Sequence, residues 1–110
     1  MNVGLVYDPI YLEHDTGGHV ENRRRLEETT ALLEQTGLWQ KLVHISPREA
    51  TQKELELVHA PEHISRVESV CHRGGGWLDG DTVTSSASYQ AALYAAGGLL
   101  RGVDAVMAGE

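Results

Sequence analysis

Apolar residues in this chain arrive in short bursts, and the spacing inside each burst changes along its length. Residues 3–7 form a continuous apolar run of strand formers closed by Asp8-Pro9. An unbroken run, as opposed to an alternating one, is the pattern of a buried strand in a parallel sheet. Over residues 22–36 the period becomes helical: Leu26, Thr29, Thr30 and Leu33 share one stripe, with Glu and Arg opposite. Asn22 suits the N-cap, and Gly37 followed by Leu38 suits the C-terminal stop. Residues 42–45 read as a second strand, closed by Ser46-Pro47. The stretch between first strand and helix, residues 8–20, carries Pro9, Asp15 and Gly17-Gly18 as turn signals. A structureless connection of that length is often functional.

Further on, Thr51 and Glu54 spell a capping box, opening a short helix expected to reach residue 58. Pro61 fits the first turn of another helix, where its missing N–H costs nothing. Ile64, Val67 and Cys71 share a face of that helix, and Gly74-Gly75-Gly76 ends it. Residues 77–85 read as an irregular polar loop. A last helix is expected from Ser86 or Ser88 to Ala108, bent at Gly97-Gly98. Ala91, Ala92, Ala95 and Ala96 beside that glycine pair leave little side chain outside the backbone cylinder. Each helical Gly costs about 1 kcal/mol relative to Ala, so a close contact should require the pair. Strand, loop, helix, strand is the opening of an α/β pattern with a parallel sheet.

At 110 residues the chain is one domain at most, or a piece of one. It has no Phe, so its two Trp and four Tyr must supply the bulk of any core. A formal charge of −7 argues against nucleic-acid or anionic-membrane partners, because phosphates would be repelled. The basic run Arg23-Arg24-Arg25 is followed by Glu27 and Glu28 and reads as a solvated helix start. An acidic surface suits a cationic substrate such as a lysine side chain or a polyamine. Cys71 is the lone cysteine, which leaves no intramolecular disulfide and no CxxC motif. The start MNVGLVYD lacks the features of a signal peptide, and no apolar run reaches the roughly 18 residues of a membrane span. The expected compartment is the cytoplasm.

Candidate chemistry is sparse. His59 and His63 are four apart, but Pro61 disfavours helix at Ala60, which assigns them to different helices. His14, Asp15 and His19 make a nonspecific ligand trio, and ordinary hydrogen-bonded histidines are the expectation for all six. Asp79-Gly80-Asp81 resembles a calcium-loop opening, but the sixth and twelfth places hold Thr84 and Gln90 instead of Gly and Glu. The triple glycine follows a helix and precedes no Gly-Lys-Ser/Thr, so it is no phosphate cradle. Ser85, Ser86 and Ser88 show no paired base and are expected to cap the last helix.

The blocks GLVYDPIYLEHDTG, RRRLEETTALLEQTGL, ELELVHAPEHI and LDGDTVTSSASYQAALYAAGG, in this order and spacing, carry a resemblance over essentially the whole chain. They resemble the N-terminal part of the histone deacetylase and acetylpolyamine amidohydrolase (acetoin-utilisation-like) family. The resemblance implies an α/β fold: a partial parallel sheet with flanking helices, like the N-terminal part of the arginase/deacetylase fold. Residues 1–110 would form a single, incomplete domain of that kind. Family members are zinc-dependent amidohydrolases that cleave an acetyl group from an amine, the metal polarising the amide and a His pair handling protons. Their zinc ligands and His pair lie in a later portion that begins with a strand and a Pro-Pro-Gly-His-His segment. The chain as given stops short of it, so no cofactor and no activity are expected of it alone. Acetyl-lysine, acetylpolyamine or a related acetylated amine would be the substrate of the whole enzyme.

What the resemblance carries onto these residues is peripheral. Arg25 matches an arginine beside an internal channel, where a cation attracts leaving acetate; pairing with nearby acids is the plainer account. Tyr7 matches a tyrosine lining the same region, with core packing as its alternative. Asp81 resembles the rim aspartate that accepts hydrogen bonds from substrate, and is otherwise a turn residue. His19, with the loop from Asp15, would form another part of the rim. The family often reads His-Pro-Glu-x-Pro-x-Arg-Leu where this chain has His19-Val20-Glu21-Asn22-Arg23-Arg24-Arg25-Leu26. Losing both prolines implies a less rigid loop and a less firmly placed Arg25. The alternative function is a noncatalytic module that self-associates as a homo-oligomer or docks to a partner chain. A parallel sheet of two strands leaves open edges that invite pairing.

Overall fold

The computed structural model describes residues 2–110. Strand β1 (Gly4–Val6) leads through a 3-10 turn (Pro9–Glu13) and a loop into α1 (Arg24–Gln35). A second 3-10 turn (Trp39–Lys41) precedes β2 (Val43–Ile45), then come α2 (Gln52–Leu55) and α3 (Pro61–His72). Strands β3 (Gly75–Asp79) and β4 (Thr82–Ser85) lead into the long α4 (Ser88–Met107). β1 and β2 pair in parallel, Gly4 with Val43 through Val6 with Ile45, as the apolar runs predict. The strand is not buried as expected: Leu5 and Val6 are half-buried and Gly4 is exposed.

The last helix sets the packing. It runs unbroken through Gly97-Gly98, and the glycines serve contact. The 48–50 backbone lies directly on Gly97, and the Ala50 N–H donates to the Leu93 carbonyl (2.9 Å). Gly98 faces the Tyr11 hydroxyl, Val6 and Pro47. The expected close approach is therefore real, and its partners are β1 and the segment after β2. Ala50, Ile64, Cys71, Ala91 and Ala105 are the buried apolar residues. These are mostly small side chains, so backbone proximity has to replace side-chain bulk. Ile64 and Cys71 are two of the three residues assigned to the inner face of α3. The opposite side of α4 leaves Leu99, Val103, Val106 and Met107 exposed. Among the described residues no helix is long and apolar enough to cross a membrane.

Several local expectations need correction. Residues 77–85 are not an irregular loop but the greater part of an antiparallel hairpin, with Trp77 opposite Val83 and a register shift before Asp79. Thr82-Val83-Thr84 is a β-branched run that favours a strand. The Asp79 carboxylate accepts the Asp81 N–H (2.8 Å), which closes the turn between the strands. The glycine triplet does more than end α3. Gly75 (φ 97°) is already in β3, where a Cβ would sit 2.5 Å from the Thr84 carbonyl oxygen. Residues 8–20 are not structureless, since Pro9 opens a 3-10 turn capped by Asp8. α2 ends at Leu55, short of residue 58. In α1 the apolar stripe is barely covered, with no residue of the helix buried. Asn22 caps one position early, its Oδ1 accepting the Arg24 N–H (2.9 Å) while Arg23 holds the N-cap place.

The capping box of α2 is present. Thr51 Oγ1 accepts the Glu54 N–H (3.2 Å), and Glu54 Oε1 accepts the Thr51 N–H (2.8 Å). The same carboxylate takes a two-pronged contact from Arg48 (2.8 and 2.7 Å). The Arg48 hydrogen bonds and then the Thr51 N–H hold the Glu54 carboxyl down at about 2, from 4.5. A depressed carboxyl contributes stability that is full above its unfolded value and lost as pH falls toward its folded one. Glu54→Gln should therefore narrow its stability deficit against wild type between about pH 4.5 and about pH 2. Thermal melts across that range check this, and a deficit constant with pH would contradict it.

Candidate functional site

The loop after β1 is tied down at both ends. Asp8 accepts the Ile10 N–H (2.9 Å), and Tyr11 donates its hydroxyl proton to the Tyr94 carbonyl of α4 (3.1 Å). Ser85 Oγ accepts the Asp15 N–H (3.1 Å) and donates to the Glu13 carbonyl (3.2 Å). Ser88 Oγ accepts the Ser85 N–H (2.7 Å) and meets His14 Nδ1 at 2.6 Å. Ser85 and Ser88 thus pin the loop to the hairpin and do not cap α4, whose N-cap place is held by Ala87 without a side-chain bond. Ser88 does have an imidazole partner, contrary to the sequence reading. It is buried at 6% exposure with its oxygen already hydrogen-bonded to backbone, which is the setting of a tether and not of a nucleophile.

Beyond Asp15 the chain turns through Gly17 (φ 63°), whose N–H goes to Asp15 Oδ1 (2.9 Å). Thr16 donates its hydroxyl to the Glu21 carbonyl (2.6 Å), and Asn22 Nδ2 donates to the carbonyls of His19 (3.0 Å) and Val20 (3.3 Å). These side-chain bonds tie the segment to itself. His19 is the pivot: its Nδ1 accepts the Glu21 N–H (3.0 Å) and its Nε2 meets Asp81 Oδ1 at 2.8 Å.

Loop, hairpin tip and the start of α1 enclose an open cleft of about 520 Å³. His19, Asp81 and Arg25 all line it, with Tyr11, His14 and Leu26 behind them. Three of the four candidate residues, drawn from three separate segments, therefore meet at one place. Arg25 points its guanidinium at the Glu21 carboxylate one turn earlier and is largely exposed, so the plainer account of its pairing also holds. Tyr7 stands outside the cleft, edge-on to Tyr11 and Trp39 at 6.1 Å each. Burial, then the carboxylates of Asp8, Glu27 and Glu34, push its phenol upward. An apolar hollow of about 430 Å³ adjoins the cleft through Tyr11, His14, Leu26 and Thr82, and is walled by Val67, Leu78 and the alanines of α4.

The sequence reading missed Tyr11 and His14 as wall residues. A signal was present for His14 alone, the only histidine of its loop other than His19. His14, Asp15 and His19 are each bonded to a different partner, as expected of ordinary hydrogen-bonded histidines. His59 lies in the turn after α2 and His63 in α3, their rings 5.2 Å apart. Among the described residues no three His, Cys, Asp or Glu gather as a metal would require. The described residues therefore do not fit a zinc site.

Residues 19–110 match the histone deacetylase domain, and the chain belongs to that family. It is 33% identical over 96 residues to a "probable deacetylase" of Methanothermobacter thermautotrophicus, covering 87% of this chain and 28% of that protein. It is 36% identical over 96 residues to the human polyamine deacetylase HDAC10, covering 82% of this chain and 14% of that one. The crystal structure of the HDA15 HD domain superposes with a TM-score of 0.83 at 28% identity, over 89% of this chain and 30% of that one. The chain thus spans less than a third of the length of these proteins and corresponds to part of the family domain.

Proposed function

We propose that this chain forms one wall and part of the rim of the substrate site in a deacetylase-family amidohydrolase acting on an acetylated amine. The observation that carries this is the convergence of His19, Arg25 and Asp81 on one cleft from loop, helix and hairpin tip. Asp81 presents a carboxylate that is 93% exposed, suited to accept N–H donors from an amide or ammonium group. Arg25, on the α1 side of the same cleft, offers a cation suited to an anionic product such as acetate. The net charge of −7 favours a cationic amine, which accords with the substrate class in the name of the human relative. Hydrolysis itself is assigned to groups outside these residues, and zinc with them. The test is a titration of the isotopically labelled chain with N-acetylputrescine, followed residue by residue by NMR. Shifts should concentrate at residues 19–25 and 79–83. A response elsewhere only, or none, would sink the rim assignment.

A further inference from the structure

We infer that His19 is a positioning residue for Asp81, locked in a single tautomer so that it orients the carboxylate toward an N–H donor. The inference rests on the reading of Asp81 as a substrate-facing group and adds how that group is held. A backbone N–H can only donate, so the Glu21 N–H on His19 Nδ1 (3.0 Å) requires that nitrogen to carry its lone pair. In the neutral imidazole the proton then sits on Nε2, 2.8 Å from Asp81 Oδ1, a group that can only accept. The direction of the bond is fixed from both sides.

Asp81 needs such a support. It sits in the two-residue turn between β3 and β4, its side chain 93% exposed, and among the described residues His19 is the one side chain bonded to it. Its backbone is set by the Asp79 carboxylate, which accepts the Asp81 N–H (2.8 Å), but that bond leaves the side-chain rotamer free. His19 is in contrast only 16% exposed in its side chain, held by the Glu21 N–H and with the Trp77 ring 6.5 Å from its own. Trp77 lies opposite Val83, a residue of the cleft wall. The imidazole thus transfers order from the packed loop to an otherwise mobile carboxylate. With one oxygen committed to His19, Oδ2 is left for the ligand. The neutral imidazole also preserves the full negative charge of the pair, which selects an amide or ammonium N–H over an anion. His19 is therefore a wall of the cleft and not a hydrogen-bond partner for the ligand, because both of its ring nitrogens are occupied.

The experiment has a ligand-free arm and a ligand arm, both on the full chain. In mildly alkaline buffer, where free imidazole is neutral, long-range proton–nitrogen spectra should show His19 Nδ1 unprotonated and Nε2 protonated. A protonated Nδ1, or a ring averaging between tautomers, overturns the inference. In the second arm N-acetylputrescine is titrated into wild type, His19→Phe, His19→Gln and Asp81→Asn, each checked for an unchanged melting profile. His19→Phe should weaken binding about fivefold, the equivalent of one hydrogen bond. His19→Gln, whose amide nitrogen reaches the place of Nε2, should restore near-wild-type affinity, which a merely space-filling role would not predict. If Asp81→Asn weakens binding while both His19 variants match wild type, Asp81 keeps its role and the positioning claim fails. If Asp81→Asn has no effect, the substrate reading of the cleft fails. The hold of His19 on Asp81 is then decided by the tautomer and by the Asp81 carboxyl carbon shift in His19→Phe.

Discussion

Gly97→Ala should lower stability by about 3 kcal/mol, through overpacking against backbone and loss of a hydrogen bond, despite the better helix propensity of Ala. The added Cβ would overlap the Arg48 carbonyl oxygen and stand 2.7 Å from both the Arg48 carbonyl carbon and the Ala50 nitrogen. All three are backbone atoms, so no side chain can swing aside. Relief requires the 48–50 segment to lift from α4, which breaks the bond from the Ala50 N–H to the Leu93 carbonyl. In a domain of this size the melting temperature should fall by about 15 °C. Gly102→Ala is the control on the same helix, because its Cβ would meet Val6 at 3.4 Å, near ordinary contact. That variant should melt at or slightly above wild type. Equal stability for Gly97→Ala would show that the helix does not depend on this approach.

Asp81→Asn should weaken binding of N-acetylputrescine by about tenfold or more, the scale of a hydrogen bond to a charged group. The substitution keeps size and shape and removes the charge. It also turns one acceptor oxygen into a donor, so the single remaining oxygen can serve the His19 Nε2–H or the ligand N–H but not both. Both consequences act in one direction, so this change should exceed that of any other single residue at the cleft. Calorimetry or NMR titration measures it, with thermal melts confirming that the hairpin persists. Affinity unchanged within error would remove Asp81 from the site.

The parts of this fold legible in the sequence were those written in local chemistry. The Thr51–Glu54 capping box, Pro61 at the first turn of α3 and Gly37 after α1 each satisfy or release specific backbone groups, so their signals do not depend on the rest of the chain. The glycine pair of α4 was legible as a demand for close approach, though not as to what approaches. The β3–β4 hairpin was missed because its turn, Gly80-Asp81, is closed by Asp79 and its polar Thr residues look like loop. At the site, the resemblance brought out Asp81, Arg25 and His19. Their meeting was not legible, since the contact from His19 to Asp81 spans 62 positions. The same holds for His14 and Ser88, 74 positions apart. Only the fold can bring such pairs together, and no spacing rule reports them.

The central proposal is that these residues help recognise an acetylated amine and leave its hydrolysis to groups outside them. The most direct test is an assay of the purified chain with added zinc and a fluorogenic acetyl-lysine reporter. Since no three metal-binding side chains gather among the described residues, turnover should stay at the buffer rate. Zinc-dependent release of the reporter well above that rate, sensitive to a chelator and retained through purification, would contradict the account.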